Sequence, residues 1–110
     1  MDKDDSVFLR HVLNAIRQIN EYLNGINKDK FMQDKKTQDA VIRELTIIGE
    51  AVNNISEEFK NKHKSVDWPR ITGLRNVVVH KYFGVDLDIV WGIWMKDIPE
   101  LEKELKPLLN

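Results

Sequence analysis

Apolar residues recur along this chain at alternating spacings of three and four, and almost nowhere at two. Phe8, Val12, Ala15, Ile16, Ile19 and Leu23 form one such stripe, which predicts an amphipathic helix from near Asp5 or Ser6 to about Asn24. His11 sits at its margin, as a packing or surface residue, and Gly25 is placed to stop it. A polar, lysine-rich connector follows from Ile26 to Lys36, with Phe31 and Met32 as anchors and room for one helical turn. Thr37 reads as the N-cap of a second long helix, with Asp39 in its first turn. Its seam, Val41, Leu45, Ile48, Val52, Ile55 and Phe59, suits shallow packing along another helix. Arg43, Glu44 and Glu50 lie off that seam and are expected in solvent; Arg43 or Glu50 facing a polar stripe elsewhere is the alternative.

Lys60 to Val66 reads as a basic loop, and Trp68-Pro69 marks the next start, because proline is favoured at the first helical position. A third helix is predicted from Pro69 to about Tyr82, ended by Phe83-Gly84. Asp86 or Asp88 caps a last helical stretch carrying Val85, Ile89, Val90, Ile93, Trp94 and Ile98. Pro99 kinks or restarts it, and Leu101, Leu105, Leu108 and Leu109 continue the apolar face. Trp91 and Trp94 are expected in the core or at a dimer contact, not as a base-stacking platform. With no strand-like alternation and no internal repeat, the expected fold is all-α, an up-and-down bundle of four to five helices. At 110 residues the chain is expected to be a single domain, 1–110.

Composition narrows the chemistry. The chain has no cysteine, hence no disulfide framework, thiolate metal site or cysteine nucleophile. No apolar run approaches the roughly 18 residues of a membrane span, and the N-terminus lacks a signal-peptide pattern, so a cytoplasmic protein without membrane contact is expected. The formal net charge is −1, but it is unevenly spread. From Lys60 to Tyr82 six basic residues face one acid, a local +5, against 11 basic and 17 acidic elsewhere. That segment is either a solvated lysine-rich loop or an attractor for phosphate.

Inside it stands Leu74-Arg75-Asn76-Val77-Val78-Val79-His80-Lys81-Tyr82. On a helical wheel with Arg75 at zero, Tyr82 falls near 340°, Val79 near 40°, Thr72 near 60°, Asn76 near 100° and His80 near 140°. Val77, Leu74, Val78 and Ile71 fill most of the other arc, so one side can be core while Arg75, Asn76 and His80 share the other. Asn76 and His80 are i, i+4 neighbours, whereas Arg75 and His80 stand at opposite margins of the stripe. They can face a substrate jointly or meet counterparts from a second subunit. Small Thr72 and Gly73 beside the stripe would let another chain or a ligand come close.

Histidine exchanges protons near neutral pH, arginine binds phosphate bidentately, and an amide orients either. Together they suit RNA phosphodiester cleavage by the 2′-OH, which needs no metal. His11, His63 and His80 have no metal-ligand spacing, so neither a metal nor another cofactor is expected. On residue types alone, an ion pair, a capped imidazole and a half-buried phenol would account for the same residues.

The arrangement Arg-polar-x3-His-x-Tyr, filled by Arg75, Asn76, His80 and Tyr82, resembles the signature of the HEPN superfamily. Ile42 to Val52, then Trp68-Pro69-Arg70-Ile71-Thr72-Gly73-Leu74-Arg75-Asn76, then Asp-Leu-Asp-Ile-Val-Trp at 86–91, look like its HepT-like branch; the likeness runs from Phe8 to Leu105. The resemblance implies a homodimer of helical bundles in which two copies of the motif line one cleft. It implies a metal-independent ribonuclease, the toxin of a type VII (MNT/HepT) toxin–antitoxin pair acting on RNA. Arg75, Asn76 and His80 would be catalytic, and Arg75, Lys81 and Tyr82 would contact substrate. A small MNT-type nucleotidyltransferase antitoxin would transfer AMP to Tyr82. The alternative is a non-catalytic partner of a nucleotidyltransferase that binds a nucleotide or nucleic acid without cutting it.

Overall fold

The computed structural model describes residues 3–79 and 86–109, and it is an all-α helical bundle with no strand among those residues. Helix α1, Lys3–Leu23, begins slightly earlier than its apolar stripe suggests, with Asp4 and Asp5 in the first turn, where acids oppose the helix dipole. Gly25 ends it in the left-handed region, φ +75°, as its position implied. The connector carries a short helix, α2 (Lys28–Gln33), whose start is capped by the Asn27 side chain accepting from Lys30 N–H at 2.9 Å. Phe31 from α2 is fully buried and its ring lies 5.3 Å from that of Trp91.

Helix α3, Lys35–Asn53, is capped by Asp34 rather than Thr37. The Thr37 N–H and hydroxyl both donate to that carboxylate, at 3.2 and 2.7 Å, and hold its pKa below the usual value. The seam expected to run unbroken to Phe59 is divided in two. Helix α3 stops at Asn53, and α4, Glu57–Lys62, starts from Ser56. The break is built by Asp5, 51 residues away. Its buried carboxylate accepts from Ser56 N–H at 2.8 Å and from the Ser56 hydroxyl at 2.7 Å, while Ser56 Oγ accepts from Phe59 N–H. The expected basic loop therefore starts as helix. Val52, Ile55 and Phe59 are nonetheless all buried, because the turn keeps the apolar rhythm.

Helix α3 is the centre of the bundle. It packs against α1 and α2 and against two short helices, α5 (Trp68–Thr72) and α6 (Leu74–Val79), while α1 packs on α8, Ile98–Leu105. The last stretch is α7 (Leu87–Gly92), capped by Asp86, then a π-helical turn Ile93–Asp97, α8, and a 3-10 turn Lys106–Leu108. Asp88 does not cap; it pairs with Lys28 of α2 at 2.8 Å. Trp91 and Trp94 are half-buried, their ring centroids 4.9 Å apart, and the Trp94 indole N–H donates to Asn20 on α1. One contiguous core, with Leu9, Ile16, Ile19, Phe31, Leu45, Ile48, Ile98 and Leu105 at its centre, joins these elements. No helix among the described residues is long and apolar enough to cross a membrane.

The candidate site on the motif helix

The site is built on the elbow between α5 and α6. Asp67 caps α5 by accepting from Arg70 N–H at 3.2 Å, and Pro69 sits in the first turn, as expected. Trp68 is buried and its indole N–H donates to the His63 carbonyl at 3.0 Å, pinning the preceding turn. The single helix expected from Pro69 onward is interrupted at Gly73, where the backbone turns before α6. Ile71 and Leu74 face the core from the two sides of this break. Arg70 forms an ion pair with Asp97 in the π-helical turn, which ties α5 to the C-terminal helices.

Helix α6 crosses α3 over Gly49. A Cβ at that position would lie 2.7 Å from Arg75 Cβ, 3.1 Å from Arg75 N and 3.2 Å from the Thr72 carbonyl. Gly49 is thus the small residue that allows the close approach of α6 to α3. The signal was present: a glycine in the middle of an apolar seam usually has a packing reason.

That approach places Arg75 beside α3. One of its guanidinium nitrogens lies 3.1 Å from Glu50 Oε1, with the Arg75 side chain 32% and that of Glu50 53% exposed. Glu50 is therefore a partner of the motif and not a merely solvated residue. Glu44, also expected in solvent, is buried and accepts from the Tyr22 hydroxyl at 3.4 Å. Arg43 is exposed, as read.

Asn76 points elsewhere. It is exposed and lines a groove of about 780 Å³ together with Thr72, Gly73, Pro69, Lys60 and Lys64. Arg75 and Asn76 are adjacent in sequence but serve different neighbourhoods, one held against α3 and one open towards the α4 side. His80, Lys81 and Tyr82 lie outside the described residues, as do Phe83, Gly84 and Val85.

The basic charge of this region is largely paired. Lys60 is 3.9 Å from Glu57, Lys62 is 3.3 Å from Glu58, Arg70 meets Asp97, and Arg75 meets Glu50. Lys64 has no acidic partner among the described residues. His11 is exposed, its ring edge-on to Phe8, and His63 lies against Phe59 at 4.5 Å between centroids. Among the described residues no cluster of three or more His, Asp or Glu could hold a metal ion.

Residues 12–108 match the family described as ribonuclease HepT-like. The chain is 42% identical over 103 residues to a "Putative RNase" of Caldanaerobacter subterraneus subsp. tengcongensis, covering 94% of this chain and 92% of that protein. It is 39% identical over 108 residues to the "Probable ribonuclease HepT" of Thermococcus cleftensis, covering 98% of each. A protein of Methanocaldococcus jannaschii named "Gamma-glutamylcyclotransferase and putative RNase" is 40% identical over 110 residues, and this chain spans 50% of its length. No solved structure matches the chain significantly. With the family matched over residues 12–108 and relatives of about 40% identity covered over nearly their whole length, the chain belongs to the HepT-like ribonuclease family.

Proposed function

We propose that this protein is a metal-independent endoribonuclease and the toxin of a type VII (MNT/HepT) pair, acting as a homodimer in the cytoplasm. The observation that carries the reading is the family match over residues 12–108 combined with an intact Arg75-Asn76-x3-His80-x-Tyr82 motif. In the reaction the 2′-OH of one ribose attacks the adjacent phosphorus. The P–O2′ bond forms, the P–O5′ bond breaks, and the products are a 2′,3′-cyclic phosphate and a free 5′-OH. One proton must leave the 2′-OH and one must reach O5′. Histidine suits both transfers near neutral pH. Each chain carries one His80, and two copies facing one cleft supply both a base and an acid. Arg75 stabilises the charge that grows on the non-bridging phosphoryl oxygens, and Asn76 orients the scissile group. Lys81 and Tyr82 contact substrate.

Incubating the purified protein with labelled single-stranded RNA in the presence of EDTA tests this. Cleavage is expected, and His80→Ala or Arg75→Ala should lower its rate on the order of 10² to 10⁴-fold with unchanged helical circular dichroism. Variants that cut as fast as wild type overturn the assignment.

Neutralisation is proposed to act through Tyr82. A nucleotidyltransferase partner joins the Tyr82 hydroxyl oxygen to the α-phosphorus of ATP, and pyrophosphate leaves. The new phosphodiester puts a negative charge and a purine beside Arg75 and Lys81, where RNA phosphate would bind. After co-expression with such an enzyme, intact mass should rise by one AMP, with the adduct mapped to Tyr82 and cleavage lost. An unchanged mass, or an adduct on Tyr22, removes Tyr82 from the mechanism.

A further inference from the structure

The groove that receives Asn76 extends well beyond the motif. Its walls are Lys60 and Asn61 of α4, Lys64 and Ser65 of the turn after it, and the α5–α6 elbow; its floor is apolar, made by Val66, Trp68 and Pro69. Lys60 lays its stem along the protein, its side chain 12% exposed, with the ammonium 3.9 Å from Glu57, beyond hydrogen-bonding distance. Lys64 is exposed and has no acidic partner among the described residues. Two acids on the groove match its two lysines in number. Asp67 is occupied in capping α5, and the Glu57 side chain is 83% exposed. The Lys64 ammonium, the Lys60 ammonium 3.9 Å from Glu57, two carboxamides (Asn61 and Asn76) and an apolar floor thus share one open channel that ends at Asn76.

This combination matches a single strand of nucleic acid. Cations follow its phosphates, while unstacked bases offer apolar faces and polar edges that a duplex keeps inside. We propose that this groove is the track by which the single-stranded RNA substrate leaves the cut site, with Lys60 and Lys64 binding phosphates of the flanking nucleotides and Asn61 meeting a base edge. The proposal rests on the ribonuclease reading and extends it to residues outside the motif. Glu57 opposes the strand, because it competes with phosphate for Lys60.

The probe is a fluorescent single-stranded oligonucleotide of about ten nucleotides, 2′-O-methylated throughout so that it lacks the attacking hydroxyl. Its dissociation constant is measured across a salt series. Each single-strand phosphate contact contributes about 0.7 to the slope of log affinity against log salt. Lys64→Gln, at an exposed position, should therefore lower the slope by about 0.7, and Lys60→Gln with Lys64→Gln by about 1.4. Glu57→Gln should tighten binding, and a duplex of the same sequence should compete poorly. Lys103→Gln on α8, an equal charge change far from the groove in sequence, should leave the slope unchanged. The track is overturned if the double variant binds as wild type does, if Lys103→Gln lowers the slope equally, or if wild type does not bind the probe. A wild type that binds the probe yet leaves the unmethylated RNA uncut overturns the ribonuclease reading and not the track.

Discussion

Arg75 and Glu50 show how much a single contact decides at this site. An ion pair at 3.1 Å between partly exposed groups contributes little to stability, on the order of 0–1 kcal/mol. Its consequence is orientation, because a guanidinium binds phosphate well only when its planar fork is aimed. On the proposed mechanism Glu50 is therefore a positioning residue. Glu50→Gln should leave the melting temperature nearly unchanged and lower kcat by roughly ten- to a hundredfold, as misaimed catalytic groups do, with KM unchanged or reduced once Arg75 is no longer neutralised. Steady-state kinetics beside thermal unfolding checks this, and an unchanged kcat would refute it. The motif residues were legible in the chain because their spacing is local. Glu50 was legible only as an alternative to a solvated residue, since it lies 25 residues from Arg75 and meets it only through the crossing of two helices.

Element scale is where the expectations and the fold differ most. Periodicity located the apolar faces of α1 and α3, although Leu9, which is buried, falls outside the first stripe, and Ile89, expected on the last apolar face, is 40% exposed. It could not see the breaks at Asn54 to Ser56 and at Gly73, because both turns preserve the three-four rhythm. The break after α3 depends on Asp5, whose partner Ser56 is remote in sequence. Packing of α6 on α3 depends on Gly49. Gly49→Ala forces a methyl to within 2.7 Å of Arg75 Cβ, close to the α6 backbone, and should cost about 1–3 kcal/mol while impairing cleavage through displacement of Arg75. Gly92 in α7 has helical dihedrals, φ −62° and ψ −38°, and open space around it, so Gly92→Ala should stabilise by about 0.5–1 kcal/mol without changing cleavage. Urea unfolding of the pair gives both signs; equal effects would mean that the α3–α6 contact is not the tight one.

For the whole molecule, the proposed mechanism uses two histidines, one more than a single copy of the motif holds. Arg75 and His80 stand at opposite margins of the helical stripe, about 140° apart on the wheel, and each chain supplies one motif histidine. Sedimentation velocity at micromolar concentration should therefore find a dimer, and excess His80→Ala chains mixed with wild type should lower its activity, because each mixed dimer holds one motif histidine. A species that stays monomeric would remove the shared cleft.

What the sequence by itself determined is the set of local properties. These are the helical class, the apolar faces, the stop at Gly25, the proline start at Pro69 and a motif whose residues lie within eight positions of each other. Each follows from backbone geometry or side-chain spacing over a turn or two. What only the tertiary structure decided is how remote residues meet. Asp5 ends up holding Ser56, the cap of α4, Glu44 is buried against Tyr22, and α6 settles on Gly49 so that Glu50 holds Arg75. Such contacts depend on crossing distances between helices, which side-chain volumes across the whole core set together and no local pattern encodes.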